Sequence, residues 1–489
     1  MATIKASKAG VRSLGAQSPA QAPAQTAKAA KGTQMQSAPQ LPGLRPEVIE
    51  RRLKMGREAL HGKEGAEAAR EAPKYFRTYE QVKAAIFELA KKYPEFVKVT
   101  DIGDTFEKST GKADRDIISM ALTSPKQPTE GQKTRVLHIA GQHAREIANP
   151  EVLMRYAAWA LENYGKDAEA TALLDNHIID LVPMMNPDGH AVVERGYTGG
   201  GDLMKRKNTS GNNGAGTDLN RNWPEKNWGT AGASSSPSSD TYRGPSAGSE
   251  LENKAIVAHT ETTKPAFFMD WHSYSELVLY PPEDDRRNTT PDQEHFIRVG
   301  KKMASFNGYT PQASIELYPT SGTSQLPYER WKIPSFVVET GRAFHQTDAQ
   351  FEETYKKNFP VLQYAAAISP DWRKLSAGPE IESVRMSANG KLTAIAKDAL
   401  TGKSAAAVEV VSSPFAKPGS GKKLTGNDGT FVAEGLKTSP LAKSAELVYV
   451  RAQDSEGNWG PAKAVWKAAG SLSATAVRAG VAKSGQKIA

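Results

Sequence analysis

Between residues 97 and 368, short apolar runs alternate with longer stretches of helical periodicity, and this alternation most restricts the folds open to the chain. The runs at 97–102, 116–122, 135–140, 177–183, 266–271, 277–280 and 334–339 have strand length and are bounded by turn residues. Helical patterns occupy 149–164, 249–261 and 291–306, with a last helix near 346–368. An earlier helix opens the folded region just after Tyr75: Thr78 offers an N-cap, Val82, Ile86 and Leu89 share a face, and Pro94 stops it. Parallel strands need long crossovers, which helices supply. The expected fold class is therefore α/β, with a mixed, mostly parallel sheet covered on both faces. Asn186-Pro187-Asp188-Gly189 reads as a turn closing the strand before it, and the Gly, Asn and Ser of 209–217 and 231–240 read as surface loops.

A chain of 489 residues exceeds one ordinary core. Residues 1–73 form a low-complexity segment, expected to be largely disordered because Ala, Gln, Pro, Ser and Lys bury too little to offset ordering entropy, with a charged helix possible over 46–70. After Gly378 short β-prone runs follow one another (381–386, 391–396, 406–411, 430–432, 445–452, 462–466), divided by turns such as Asn389-Gly390 and Asn427-Asp428-Gly429. That pattern predicts a small β-sandwich over 377–469 and a frayed tail over 470–489. The net charge of +9 lies in the flanks: 1–73 and 377–489 each carry +6, leaving about −3 between them. The basic flanks speak of solubility or tethering, and no nucleic-acid partner is expected. No run reaches membrane-span length and Met1-Ala2-Thr3-Ile4-Lys5 does not open a signal peptide, so localisation and any export route stay open.

With no cysteine in the chain, a metal must use histidine and carboxylate. His143-Ala144-Arg145-Glu146 follows the apolar run Val136–Gly141, and His272 lies in Trp271-His272-Ser273-Tyr274. Two imidazoles and one carboxylate suit zinc, one ion per chain, and leave a fourth position for water, as catalytic zinc sites do. Ligands at the end of a central strand are held rigidly yet face a crevice.

Further motifs follow in order: Arg206 in Lys205-Arg206-Lys207-Asn208, Asp218-Leu219-Asn220-Arg221-Asn222-Trp223, Tyr318 in Leu317–Thr323, and Glu339 ending Ser335–Glu339. Together with the ligand pair they resemble the carboxypeptidase A-like zinc metallocarboxypeptidases over about 75–375. The resemblance implies a zinc carboxypeptidase catalytic domain over 74–376 and an extracellular setting, while an accessory role for the β-domain, in stability or surface attachment, rests on its composition alone. It implies His143, Glu146 and His272 as zinc ligands, Glu339 as general base, and Arg206 as the group polarising the scissile carbonyl. Asn220, Arg221 and Tyr318 inherit the grip on the terminal carboxylate, and Arg145 a secondary substrate contact. Gln325 stands where the family reads the terminal side chain; an apolar residue there goes with apolar termini and an acid with Lys or Arg, so preference stays open. Leu326-Pro327 and Lys205 also depart from the family's pattern, at pocket walls. No folded prodomain is expected within 1–73.

Elementary chemistry agrees with these roles. Zinc acidifies bound water from about 15.7 toward about 7, and a nearby carboxylate can shuttle its proton. A fixed guanidinium stabilises an oxyanion, and a planar fork of donors suits a carboxylate. The expected partners are peptides or proteins with a free C-terminal carboxylate. Two alternatives stand beside this reading: a hydrolase of cell-wall or γ-glutamyl peptides, and a catalytically inactive binding protein on the same fold.

Overall fold

The computed structural model describes residues 71–387, 389–436, 446–468 and 472–474. The expected disorder of 1–70, the helix over 46–70 and the last fifteen residues lie outside them. Eight strands build the main sheet: β1 (Val97–Asp104), β2 (Asp116–Leu122), β3 (Thr134–Ala140), β4 (His177–Val182), β5 (Phe267–His272), β6 (Leu277–Tyr280), β7 (Thr310–Ala313) and β8 (Ser335–Glu339). Their order across the sheet is β1-β2-β4-β3-β5-β8-β6-β7. The centre, β4-β3-β5-β8, is parallel throughout, and so is the β6-β7 edge pair. The β1-β2, β2-β4 and β6-β8 pairings are antiparallel.

The helices are α1 (Tyr79–Lys92), α2 (Phe106–Ser109), α3 (Ala148–Glu162), α4 (Ala168–Asn176), α5 (Pro187–Tyr197), α6 (Leu251–Thr263), α7 (Gln293–Asn307), α8 (Leu326–Trp331), α9 (Asp348–Ile368) and α10 (Trp372–Leu375). Side chains alternate across a strand, so β3 feeds two cores. Val136 and Ala140 pack with residues of α1, α3, α7 and α9. Leu137 and Ile139 join Ala255 and Ile256 of α6 and Leu326 of α8 on the other face. Central strands buried on both faces explain why their sequences read as unbroken apolar runs. Capping boxes start α1 at Thr78 with Gln81 and α9 at Thr347 with Gln350.

One local expectation needs correcting. Asn186-Pro187-Asp188-Gly189 is the start of α5, not a closing turn: Asn186 caps the helix by accepting from the Gly189 amide at 2.9 Å, with Pro187 at the first helical position. Asn-Pro carries both turn and helix-start chemistry, and the helix wins here.

From Glu380 the chain builds two antiparallel sheets. One is β13-β14-β10-β9-β17 (Thr425–Asn427, Thr430–Ala433, Leu392–Lys397, Glu380–Met386, Leu472–Ala474) and the other β12-β11-β15-β16 (Lys422–Lys423, Ala407–Val411, Leu447–Gln453, Lys463–Trp466). Val384, Leu392, Ala394 and Phe431 of the first meet Val408, Val448, Val450 and Val465 of the second in one core. Strand β17 lies inside the tail expected to fray: Leu472, Ser473 and Ala474 pair with Arg385, Val384 and Ser383. Among the described residues no helix is long and apolar enough to cross a membrane.

Candidate active site

Parallel register brings the C-terminal ends of β3, β5 and β8 side by side. Ala140 lies opposite Trp271, and His272 opposite Glu339. The chain leaves β3 through Gly141, whose φ of +64° puts any added Cβ against Met184 and the Pro183 carbonyl, so the turn calls for glycine. His143 and Glu146 follow on the approach to α3. His143 Nδ1 lies 2.7 Å from Glu146 Oε1, His272 Nδ1 3.0 Å from Glu146 Oε2, and the two Nδ1 atoms are 3.1 Å apart. All three residues are buried.

The second nitrogen of each imidazole has its own carboxylate. His272 Nε2 is 2.7 Å from Asp270 Oδ2, and His143 Nε2 is 3.1 Å from Asp218 Oδ1. Such partners fix the ring and leave the other nitrogen free for a metal. Asp218 also takes a forked contact from Arg206 (Nε at 3.0 Å, Nη2 at 2.9 Å) and accepts from the Asn220 amide. Burial opposes ionisation of Glu146 and Asp218, yet both are held well below the usual carboxylate range. His143 and His272 outweigh burial at Glu146, and Arg206 and His143 do so at Asp218. Burial alone would lower His272, but Asp270 and Glu146 push it well up. Glu146 and the outward nitrogens of two carboxylate-backed imidazoles are the donor types that a cation takes. The cluster's two nitrogens and one carboxylate oxygen, within 4.8 Å of one another, fit a tetrahedral zinc with one position open.

Glu339 closes this group. Burial first, then repulsion from Glu146 and Asp270, raises its pKa to about 8 against the pull of His272 and Arg206. Arg206 Nη1 comes within 3.3 Å of His143 Nδ1. Arg145 is buried over the Phe344 ring, 4.3 Å from its centroid, and Nη1 donates to the Met204 carbonyl at 3.4 Å.

The remaining residues form an adjoining group. Arg221, 2 % exposed, donates through Nε to the Gly232 carbonyl at 2.9 Å and through Nη1 to the Asn220 carbonyl at 2.6 Å, while Nη2 has no partner. Its guanidinium stands 5.8 Å from the Tyr318 ring centroid. Asn220 Oδ1 accepts from the Ser324 amide at 3.0 Å, and Gln325 Nε2 donates to Ser314 Oγ at 2.6 Å. Asp218, which feels the charges of both Arg206 and Arg221, links the two groups. The structure brings His143, Glu146, His272, Arg206 and Glu339 together, and Arg221 with Asn220 and Tyr318, while Arg145 contacts Met204 and Phe344 and Gln325 contacts Ser314. Asp218 and Asp270 were not singled out; an acid two residues before His272 on the same strand face was the available signal.

A family model described as zinc carboxypeptidase (peptidase family M14) matches residues 82–371. Carboxypeptidase B of Bos taurus is 30% identical over 344 residues, covering 66% of this chain and 78% of that protein. Carboxypeptidase A1 of Rattus norvegicus is 36% identical over 235 residues, covering 47% and 52%. Among solved structures, carboxypeptidase A of Helicoverpa armigera superposes with a TM-score of 0.51 at 24% identity, covering 67% of this chain and 81% of that one. Thrombin activatable fibrinolysis inhibitor gives 0.55 at 23%, covering 66% and 81%. At these identities the two structures speak for the fold.

Proposed function

Since the chain belongs to the zinc carboxypeptidase family and is a metallocarboxypeptidase, we propose that it removes the C-terminal residue from peptides and proteins with a free α-carboxylate. The observation carrying this reading is the meeting of the His143, Glu146 and His272 donor atoms beside Glu339 at the C-terminal ends of the central strands. A zinc ion held by those three side chains would supply a Lewis acid and an acidified water.

The chain's own groups do the rest. Glu339 takes the proton of the attacking water at its carboxylate and delivers it to the departing amine, a role typically contributing ~10²–10⁴-fold. Arg206, fixed by its fork onto Asp218, keeps Nη1 directed toward the metal ligands, where charge develops on the scissile carbonyl oxygen. The unpartnered Nη2 of Arg221 is the free donor for a terminal carboxylate, assisted by Asn220 and Tyr318. Arg145 contacts the preceding part of the peptide, and Gln325 lines the terminal-residue pocket. The sandwich over 377–469 serves as an accessory module that braces the catalytic domain of 74–376.

A pair of peptides differing only in a free or amidated C-terminus tests the reading, with chelator and zinc-restored controls. Hydrolysis of the free acid alone, abolished by chelator and restored by zinc, is expected. Equal rates on both peptides would remove the carboxylate grip from the account.

A further inference from the structure

Glu339 is the last residue of β8, and the end of an element frays readily unless the chain beyond it is tied down. In the ladder it lies opposite His272 of β5 on one side and Leu277 of β6 on the other. The next residue, Thr340, is fully buried and supplies the tie twice. Its amide donates to the His272 carbonyl at 2.7 Å, adding a rung past the end of the strand. Its hydroxyl donates to Asn149 Oδ1 at 2.6 Å. Asn149 is fully buried in the first turn of α3, three positions after Glu146, and its amide donates to the Glu146 carbonyl at 3.4 Å.

One residue thus joins the segments that carry Glu339, His272 and Glu146. Moving the Glu339 carboxylate relative to the two ligands stretches one of its bonds. Among the described residues Asn149 Nδ2 has no partner, so the bond from Thr340 is the contact that orients this amide. The following residue is anchored elsewhere: the Gly341 amide donates to the Tyr309 hydroxyl at 3.0 Å, which also accepts from Asn358 of α9 at 2.9 Å. In this turn the Thr340–Asn149 bond is the side-chain contact that leads back to the metal ligands.

We propose that Thr340 and Asn149 form a positioning pair for the proton-transfer step, holding the Glu339 carboxylate in place against the metal ligands without touching substrate. This rests on the reading of Glu339 as the group that moves the water's proton. A misplacement of about 1 Å can cost ~10²-fold in rate, and groups of this kind need supports that hold them to within about 0.5 Å. The loss belongs to kcat, because Asn220 and Arg221, which grip the terminal carboxylate, are held by Ser324 and Gly232.

The test measures kcat and KM on one peptide with a free C-terminus, together with zinc content and melting temperature, for the zinc-loaded full chain and its variants. Thr340→Val keeps the shape of the side chain and removes the hydroxyl. It should lower kcat by about 10–100-fold while KM stays within about twofold and zinc content is unchanged. Thr340→Ser returns the hydroxyl and should restore kcat to within about threefold of wild type. Asn149→Ala should lose about as much as Thr340→Val, and the double variant no more than either, since both substitutions break one bond. A Thr340→Val variant with wild-type kcat overturns the proposal, as does a loss carried by KM or by zinc content, a serine that fails to restore turnover, or losses that add in the double variant. If Thr340→Val fails to fold, Asn149→Ala and Thr340→Ser decide by the same measures. Near-normal turnover by Glu339→Gln overturns the proposal together with the reading it rests on, whereas an inactive Glu339→Gln beside a fully active Thr340→Val overturns this inference alone.

Discussion

Glu339 ends a buried strand with a carboxyl group held near pH 8 by burial, a poor place for an acid that has no task. Glu339→Gln should keep stoichiometric zinc by elemental analysis and lose ~10³-fold or more in kcat; near-normal turnover would remove it from proton transfer. Asp270 acts at one remove, orienting His272 through Nε2. Asp270→Asn should weaken zinc by about 10–100-fold in a competition titration, and unaltered affinity would mean the ring is fixed by other contacts. At this scale the metal donors were legible because a short motif places two of them together. The carboxylates behind the rings were not, because their use depends on which way an imidazole turns.

Among secondary-structure elements, those with strong periodicity were readable to within two residues. β2 and β6 fall at the expected positions, and α9 ends where its apolar face does. Helices α4 and α5 were not read, the first because nine Ala-rich residues give little pattern and the second because its Asn-Pro start resembles a turn. The antiparallel placement of β2 and β6 was also hidden, since pairing between distant strands leaves no local trace. One element carries a pH-dependent weakness. In the first turn of α6, burial and then the neighbouring Glu250 raise Glu252 to about 8; Oε2 accepts from Asn208 at 3.2 Å and Oε1 has no partner. A carboxyl raised on folding favours the native state below its unfolded pKa, and that advantage drains away as pH climbs toward the folded value. Glu252→Gln should therefore leave the melting temperature nearly unchanged at pH 4 and raise it by several degrees at pH 8, by calorimetry. An equal effect at both values would show that ionisation is not involved.

For the molecule as a whole, the sandwich was legible from its turns, while the way it attaches was not. Asn176, at the end of α4, donates to the Tyr449 hydroxyl at 2.8 Å, and Trp466 Nε1 to the Lys166 carbonyl at 3.2 Å. Lys302 of α7 is fully buried, with Nζ 2.6 Å from the Gly378 carbonyl and paired with Glu380 and Asp398. Removing one partner of a buried ion cluster strands the others. Lys302→Ala should cost about 3–5 kcal/mol in denaturant unfolding, and a loss below 1 kcal/mol would mean the junction is held elsewhere. Asn176 immediately precedes β4, so the sandwich docks where the parallel strands begin, whereas His143, His272 and Glu339 stand where they finish. The far rim is thereby spared any load-carrying duty. A support, label or fusion partner fastened through the final strands would leave the cleft mouth turned outward, open to chain ends arriving from solution.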